Sequence, residues 1–502
     1  MVLMSTLHIL QHASPSKFGG TFSTAAARAP SPRLQLMQDA ARYAAVDDLD
    51  AWVRASGGSG LDGVRVALSA SGLGLETSRD VKRGDVLIGV PETLALTAEW
   101  TLRSAIGEAL AAFDPELGDY TFLALGLLHE RRMGAESPLA PWVASAVWPD
   151  DPDVPLLWDA GAQADLAAST SAPLAERLAG AAADYAWLEE NALAADPGLF
   201  PRAGFSREAF LGALATAFSR SVIVRKDGFD LPALCPLLDL ANHADDAPPG
   251  AAPRLYGAKS GGIFGKATAA VVELVASTEL AEGAPLEVRY GGATAAELLL
   301  DYGFAPKRPE PAVSLAWTIE ETDFNFDDKL DVLETAGLAD DQPFVLREGE
   351  APPAELLAFL RLRHLQGADA FLLEAIFRSV LWPEHLQLPV TENNERAALE
   401  DGRDRCAAAL AALSGDLQRD LAILAEAAPG SRAAELASIR YAERRALESA
   451  ARWFDAQLEL PASSVEYYQE RRLRSLNLDP IETAEDLDAL RAAGRAYSDN
   501  DW

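Results

Sequence analysis

The spacing of apolar positions changes several times along the chain, and each change predicts a different element. Between residues 39 and 55, Leu49, Trp52 and Val53 fall on one side of a short helix. After a Gly/Ser linker, Ser56 to Gly60, the residues Val64, Val66 and Leu68 alternate as in a strand. Ser71-Gly72-Leu73-Gly74-Leu75 interrupts this alternation, which resumes over Val81 to Val90 with Gly84-Asp85 as a turn. A small antiparallel unit with a glycine-lined edge is expected. Residues 100–223 read mainly as helix. Thr121 to Arg132 repeats apolar residues at helical spacing, and Ser206 caps a helix with Phe210, Leu211, Leu214 and Phe218 on one face, ending near Ser219-Arg220.

Strand spacing returns between Leu234 and Phe304. It covers Val271 to Val275 and Leu286 to Tyr290, with Glu282-Gly283 as a turn between them. Thr294 to Asp301 predicts a short helix leading into Tyr302-Gly303-Phe304. From about Pro353 the pattern is helical throughout: Leu356, Leu357 and Leu360 form one face, and Leu447, Ala450, Phe454 and Leu458 another. Thr483 and Asp486 have the spacing of a last helix cap.

Composition narrows the function classes. At 502 residues the chain exceeds the size at which one core stops growing, so two or more lobes are expected. No stretch approaches the ~20 apolar residues of a membrane helix, so no membrane partner is expected. With 43 basic against 76 acidic residues the net charge is −33. That charge repels a phosphate backbone, which argues against nucleic acid, and attracts cationic partners. Two cysteines, Cys235 and Cys406, exclude a disulfide framework and a Cys-rich zinc cluster, and no metal is expected. Residues 1–38 contain no Asp or Glu, but carry Lys17, Arg28 and Arg33 among many Ser, Thr and Ala. This is the composition of an organellar transit peptide, with a plain disordered tail as the alternative.

Candidate chemistry concentrates around Pro236 to His243, where Asp239, Asn242 and His243 interrupt an apolar run, and around Tyr290. Buried polar groups need partners, and such punctuation marks either a site or an Asx-type turn. Gly72 and Gly74 either serve turns or let a ligand approach the backbone closely. Arg220 is either a solvated charge at a helix C-terminus or a ligand contact.

The order of these features, Gly72 to Gly74, Arg220, Asp239-Leu240-Ala241-Asn242-His243, Tyr290-Gly291 and Asp301-Tyr302-Gly303-Phe304, resembles the SET-domain methyltransferases. More narrowly it is similar to the plant Rubisco large-subunit lysine methyltransferase-like class. The resemblance implies an α+β fold: a SET domain of short curled antiparallel sheets with a helical insert, then an all-α C-terminal substrate-binding lobe. It divides the chain into a transit or disordered segment 1–38, a SET domain 39–306 and a helical lobe 307–470, leaving a tail 471–502. Within the SET domain, 60–100 is the first segment, 101–215 the insert and 216–306 the second segment.

By the same resemblance Ser71, Gly72, Leu73, Gly74, Arg220, Asn242, His243 and Phe304 would hold S-adenosylmethionine. Tyr290 and Tyr302 would be catalytic. Asp239, Leu240, Ala241, Tyr256 and Arg225 would contact the substrate, a lysine presented by another protein. The target would be the Rubisco large subunit, aldolase or another stromal protein, in a plastid rather than the cytoplasm. Two departures stand out: Ala244 replaces a serine that usually follows Asn-His, and Ala284-Pro285 replaces a more polar pair. Two alternatives stay open: a catalytically idle protein-binding scaffold, and a histidine N-methyltransferase. Tyr302 and Tyr256 also have the alternative of simple core packing.

Overall fold

A computed structural model describes residues 32–476, apart from 70–71, 114, 146–151, 227–228, 245–248, 257–269, 291–293, 307 and 429. Most of the expected transit segment, Ser71, and the Thr483 cap lie outside the described residues. Helix α1 (Pro32–Ala55) starts earlier than residue 39 and buries Val46, Leu49 and Val53, the three-to-four spacing of one helical face. Next come strands β1 (Gly60–Leu61), β2 (Val64–Ser69), β3 (Gly72–Thr77), β4 (Val86–Pro91) and β5 (Leu96–Thr97). A helical stretch follows, including α2 (Ala98–Leu102), α3 (Asp119–Met133), α4 (Leu174–Leu188) and α5 (Arg207–Arg220). Ser206 caps α5 by accepting from the Ala209 amide at 3.1 Å, and Phe210 and Leu214 point into the core.

The chain then returns to strands: β6 (Ser221–Lys226), β7 (Phe229–Leu234), β8 (Asn242–His243), β9 (Ala251–Tyr256), β10 (Val271–Ala276) and β11 (Pro285–Val288). Three of the sheets mix strands from both sides of the helical stretch. Their orders are β1-β4-β10-β9, β2-β3-β11-β8 and β5-β7-β6. The central strand β4 is buried at five of its six positions, whereas β10 alternates along its length. Helices and sheets close over one core running from Val46 to Val288.

Two details differ from the sequence expectation. The glycine stretch does not interrupt the sheet: it is β3, paired with β2 from Val64↔Thr77 to Ser69↔Gly72. Pairing with β2 and with β11 overrides the low strand propensity of glycine. In addition, β8 and β11 run parallel, Asn242 facing Glu287 and His243 facing Val288.

After helix α6 (Ala295–Tyr302), an antiparallel hairpin forms from β12 (Ala312–Thr318) and β13 (Asp341–Arg347). The C-terminal lobe is thus not purely helical. Val313, Leu315 and Trp317 alternate inward along β12, and the Trp317 ring meets Phe344 at 6.0 Å. The helices α7 (Ala354–Arg363), α8 (Glu392–Ala412), α9 (Leu417–Glu426) and α10 (Arg432–Leu458) complete this lobe around a second core.

Candidate active site

Several backbone devices bring the predicted residues together. At the C-terminal end of α5 the chain passes Arg220 directly into β6. Farther on, Leu237 adopts a left-handed φ of 70°, a costly conformation for a branched side chain, and opens a short turn over Leu238–Leu240. That turn delivers Asn242 and His243 into β8, beside β11, which leads to Tyr290. Thr294 and Glu297 form a reciprocal capping box at the start of α6, and Gly303 ends this helix at φ 79°. A Cβ at Gly303 would lie 2.2 Å from the Asp153 carbonyl oxygen, so glycine is required by both conformation and space. The turn carries Phe304 back to His243, their rings 5.8 Å apart.

Tyr290 is at the centre. Its hydroxyl donates to the Ala241 carbonyl at 2.8 Å, and its amide donates to His243 Nδ1 at 3.1 Å. Its ring lies 4.4 Å from that of Tyr302 with a 30° tilt, and 5.2 Å from that of His243. On the His243 side, Asn242 Nδ2 donates to the Leu73 carbonyl at 3.3 Å. On the Tyr302 side lies a cavity of about 180 Å³ lined by Arg220, Ser221, Asp239, Ala241, Tyr290 and Tyr302, among others. Arg220 Nη1 donates to the Asp239 carbonyl at 3.4 Å. Leu240, expected beside the substrate, is instead buried in the main core, and Leu238 lines the cavity. Arg225 and Tyr256 belong to β6 and β9, and their side chains lie outside the described residues.

Burial sets the protonation states. It pushes the Tyr290 phenol up to about 12, with the Arg220 charge opposing, so the hydroxyl stays protonated. Tyr302 is raised further, chiefly by burial and then by Tyr120, Asp301 and Tyr290. Burial, helped by the Arg289 charge, lowers His243 to about 4. The imidazole is therefore neutral near pH 7. Because Nδ1 accepts from the Tyr290 amide, the proton belongs on Nε2, which remains a donor.

A supporting group escaped the sequence reading. Arg177 Nη1 lies 2.5 Å from Asp301 Oδ1, and its guanidinium stacks 4.4 Å from the Phe218 ring centroid. Phe218 in turn meets Tyr120 at 4.6 Å. This chain of contacts backs Tyr302 from the insert side. It joins α3, α4, α5 and α6, so no local spacing announces it; of its members only Asp301 stands in a recognisable motif.

The donor set suits S-adenosylmethionine. Neutral His243 Nε2–H and the Asn242 amide offer polar contacts next to the Phe304 ring. β11 pairs with β3 at Glu76 and Leu75, leaving Gly72 to Gly74 beyond that pairing. Arg220 supplies a cation for a carboxylate. No group of three or more metal-ligating side chains occurs among the described residues.

Split sheets interleaved around a tyrosine-centred cavity match the architecture expected from the resemblance to SET-domain methyltransferases. Comparison with known proteins specifies it further. A family model for the Rubisco LSMT substrate-binding domain matches residues 320–447. The chloroplastic [fructose-bisphosphate aldolase]-lysine N-methyltransferase of Arabidopsis thaliana is 31% identical over 85% of this chain and 86% of that protein. The chloroplastic Rubisco large-subunit N-methyltransferase of Pisum sativum is 31% identical over 83% and 82%. A crystal structure of the SET domain of LSMT bound to lysine and AdoHcy superposes with a TM-score of 0.66 at 28% identity, covering 89% of this chain and 98% of that one. The chain belongs to the Rubisco LSMT-like family of SET-domain lysine methyltransferases.

Proposed function

We propose that the chain transfers methyl groups from S-adenosylmethionine to the side-chain nitrogen of a lysine in another protein. The carrying observation is the Tyr290 phenol, protonated, anchored on the Ala241 carbonyl and facing a narrow cavity shared with Tyr302 and Asp239. When bound, S-adenosylmethionine supplies an electrophilic methyl group on a positively charged sulfur. Gly72 to Gly74, Arg220, Asn242, His243 and Phe304 would hold it.

The protein's task is alignment, since in-line displacement gains most from positioning and exclusion of water. Tyr290 and Tyr302 wall the cavity, and their hydroxyl oxygens orient the incoming nitrogen. Dry walls and an adjacent positive charge both lower the pKa of an amine, so it sheds its proton without a dedicated base. Neither tyrosine serves as that base, because burial holds both phenols protonated.

In this reading residues 39–306 carry the chemistry and 307–470 dock the acceptor protein. The acceptor is a plastid protein such as the Rubisco large subunit or aldolase, named for the relatives, and the setting is the stroma. A family model for a substrate-binding domain over 320–447 supports the docking role.

Tyr290→Phe keeps the ring and removes the hydroxyl. Methylation of a plastid extract with labelled cofactor should fall about 100-fold in kcat, while S-adenosylhomocysteine affinity by calorimetry stays near the parent value. Full activity would remove Tyr290 from the mechanism. Label on histidine in peptide mass spectra would replace lysine as acceptor, and absence of S-adenosylhomocysteine binding by the parent protein would favour an idle scaffold.

A further inference from the structure

Strand β6 links the tyrosine cavity to a second cleft. Ser221, Val222 and Ile223 line the first, whereas Val224 and Lys226 line the second, of about 250 Å³. Val222, Val224 and Lys226 share one face of the strand, and each two-residue step covers about 6.6–6.8 Å. Along that face Val224 and Lys226 stand about 7 and 13 Å beyond Val222.

Its walls are mainly apolar: Ala98 and Leu102 of α2, Leu231 and Pro232 of β7, and Val272 of β10 join Val224. Leu102 is left 44% exposed. Charged groups at the cleft largely satisfy one another. Lys226 Nζ lies 3.0 Å from both Glu92 Oε1 and Glu99 Oε2, and Arg103 also pairs with Glu99. Asp119 adds a further carboxylate, leaving three negative charges against two positive. The volume lies below the ~300–1,000 Å³ of small-molecule pockets, so it suits a side chain rather than a cofactor.

We propose that this cleft receives an aliphatic side chain of the acceptor protein, two to four residues from the target lysine. The proposal rests on the lysine-transfer reading above. An extended segment running along β6 brings a residue at that separation over the cleft, and the acidic surplus there favours a segment already cationic through its lysine. Apolar walls with internally paired charges select leucine, isoleucine or methionine over a polar side chain.

The test is an array of peptides with a fixed central lysine and single-position variation, scored for protein binding and for labelled methyl incorporation. Leucine should exceed aspartate at one position two to four residues from the lysine, by about tenfold or more in binding. Ala98→Trp, which fills the cleft, and Leu102→Asp, at its exposed wall, should erase that preference while S-adenosylhomocysteine affinity stays unchanged. The exposed Leu102 position makes loss of folding an inadequate explanation for the second variant. Binding without positional preference, absence of binding, or a preference that survives both variants would overturn the cleft assignment. Selective binding without methyl incorporation would leave the cleft standing and count against the transfer reading instead.

Discussion

His243 links the two sides of the site through a single neutral ring: Nδ1 accepts from the Tyr290 amide, and the ring packs at a tilt against that of Phe304. Its pKa, lowered to about 4 by burial and then by Arg289, makes this arrangement pH-dependent. Between the ordinary value of 6.5 and about 4, the unfolded chain binds a proton that the native chain refuses. The stability tied to neutral His243 is therefore complete above pH 6.5, drains as the pH falls and is lost through pH 4. Urea midpoints between pH 7 and 4 should drop more steeply for the parent than for His243→Asn, which has no titrating ring; parallel curves would contradict the lowered pKa. At this scale the sequence was informative where polarity broke an apolar run, as at Asn242 and His243. It was silent on Arg177 and Tyr120, and placed Phe218 only on a helix face, since their polar or aromatic character is unremarkable until folding joins four helices.

Among the elements, the α6 C-terminus is the tightest device in the site. Gly303→Ala must place a side chain at φ 79° and within 2.2 Å of a backbone oxygen. The left-handed conformation alone costs about 1–2 kcal/mol, and the clash adds to it by displacing Phe304 from His243. Thermal melts should show a clear loss of stability, with weaker S-adenosylhomocysteine binding alongside. Gly180→Ala in α4 is the matched control: nothing lies within 4 Å of its added Cβ, so it should stabilise by about 0.5–1 kcal/mol. Equal effects of the two substitutions would refute the steric account. Elements with local signals were legible, such as α5 with its serine cap and α6 with its capping box. The strand character of β3 was hidden because glycines break the apolar alternation, and long-range pairing with β11 supplies what local propensity lacks. The β12–β13 hairpin carries its signal in Val313, Leu315 and Trp317, against the all-α lobe that the resemblance implied.

At the scale of the whole molecule, α10 ties the lobes together, and this connection carries its own pH dependence. At 27 residues it is about 40 Å long. Its first half packs Leu436, Ile439 and Ala442 against Leu166, Leu174 and Leu299, while its second half buries Leu447, Ala450 and Phe454 in the C-terminal core. Polar bonds fix the first half: Ser438 Oγ donates to the Pro306 carbonyl at 2.5 Å, and Arg440 Nη1 donates to Ser169 Oγ at 2.8 Å. Glu443, 2% exposed, accepts from Thr170 Oγ and, at 2.7 Å, from the Ser171 amide. Burial raises its carboxyl from 4.5 to about 7 despite those donors, and Glu297 adds to the rise. Here the native state holds a proton that the unfolded chain has already lost. The stabilising contribution is therefore complete below pH 4.5 and disappears as the pH rises through 7, a difference of about 3 kcal/mol when the group is fully ionised. Glu443→Gln keeps the shape and cannot ionise, so its melting temperature relative to the parent should climb steadily from pH 5 to pH 8. A constant offset across that range would mean that Glu443 ionises in the fold as readily as in water, and that its bonds to Thr170 and Ser171 outweigh the cost of burying its charge.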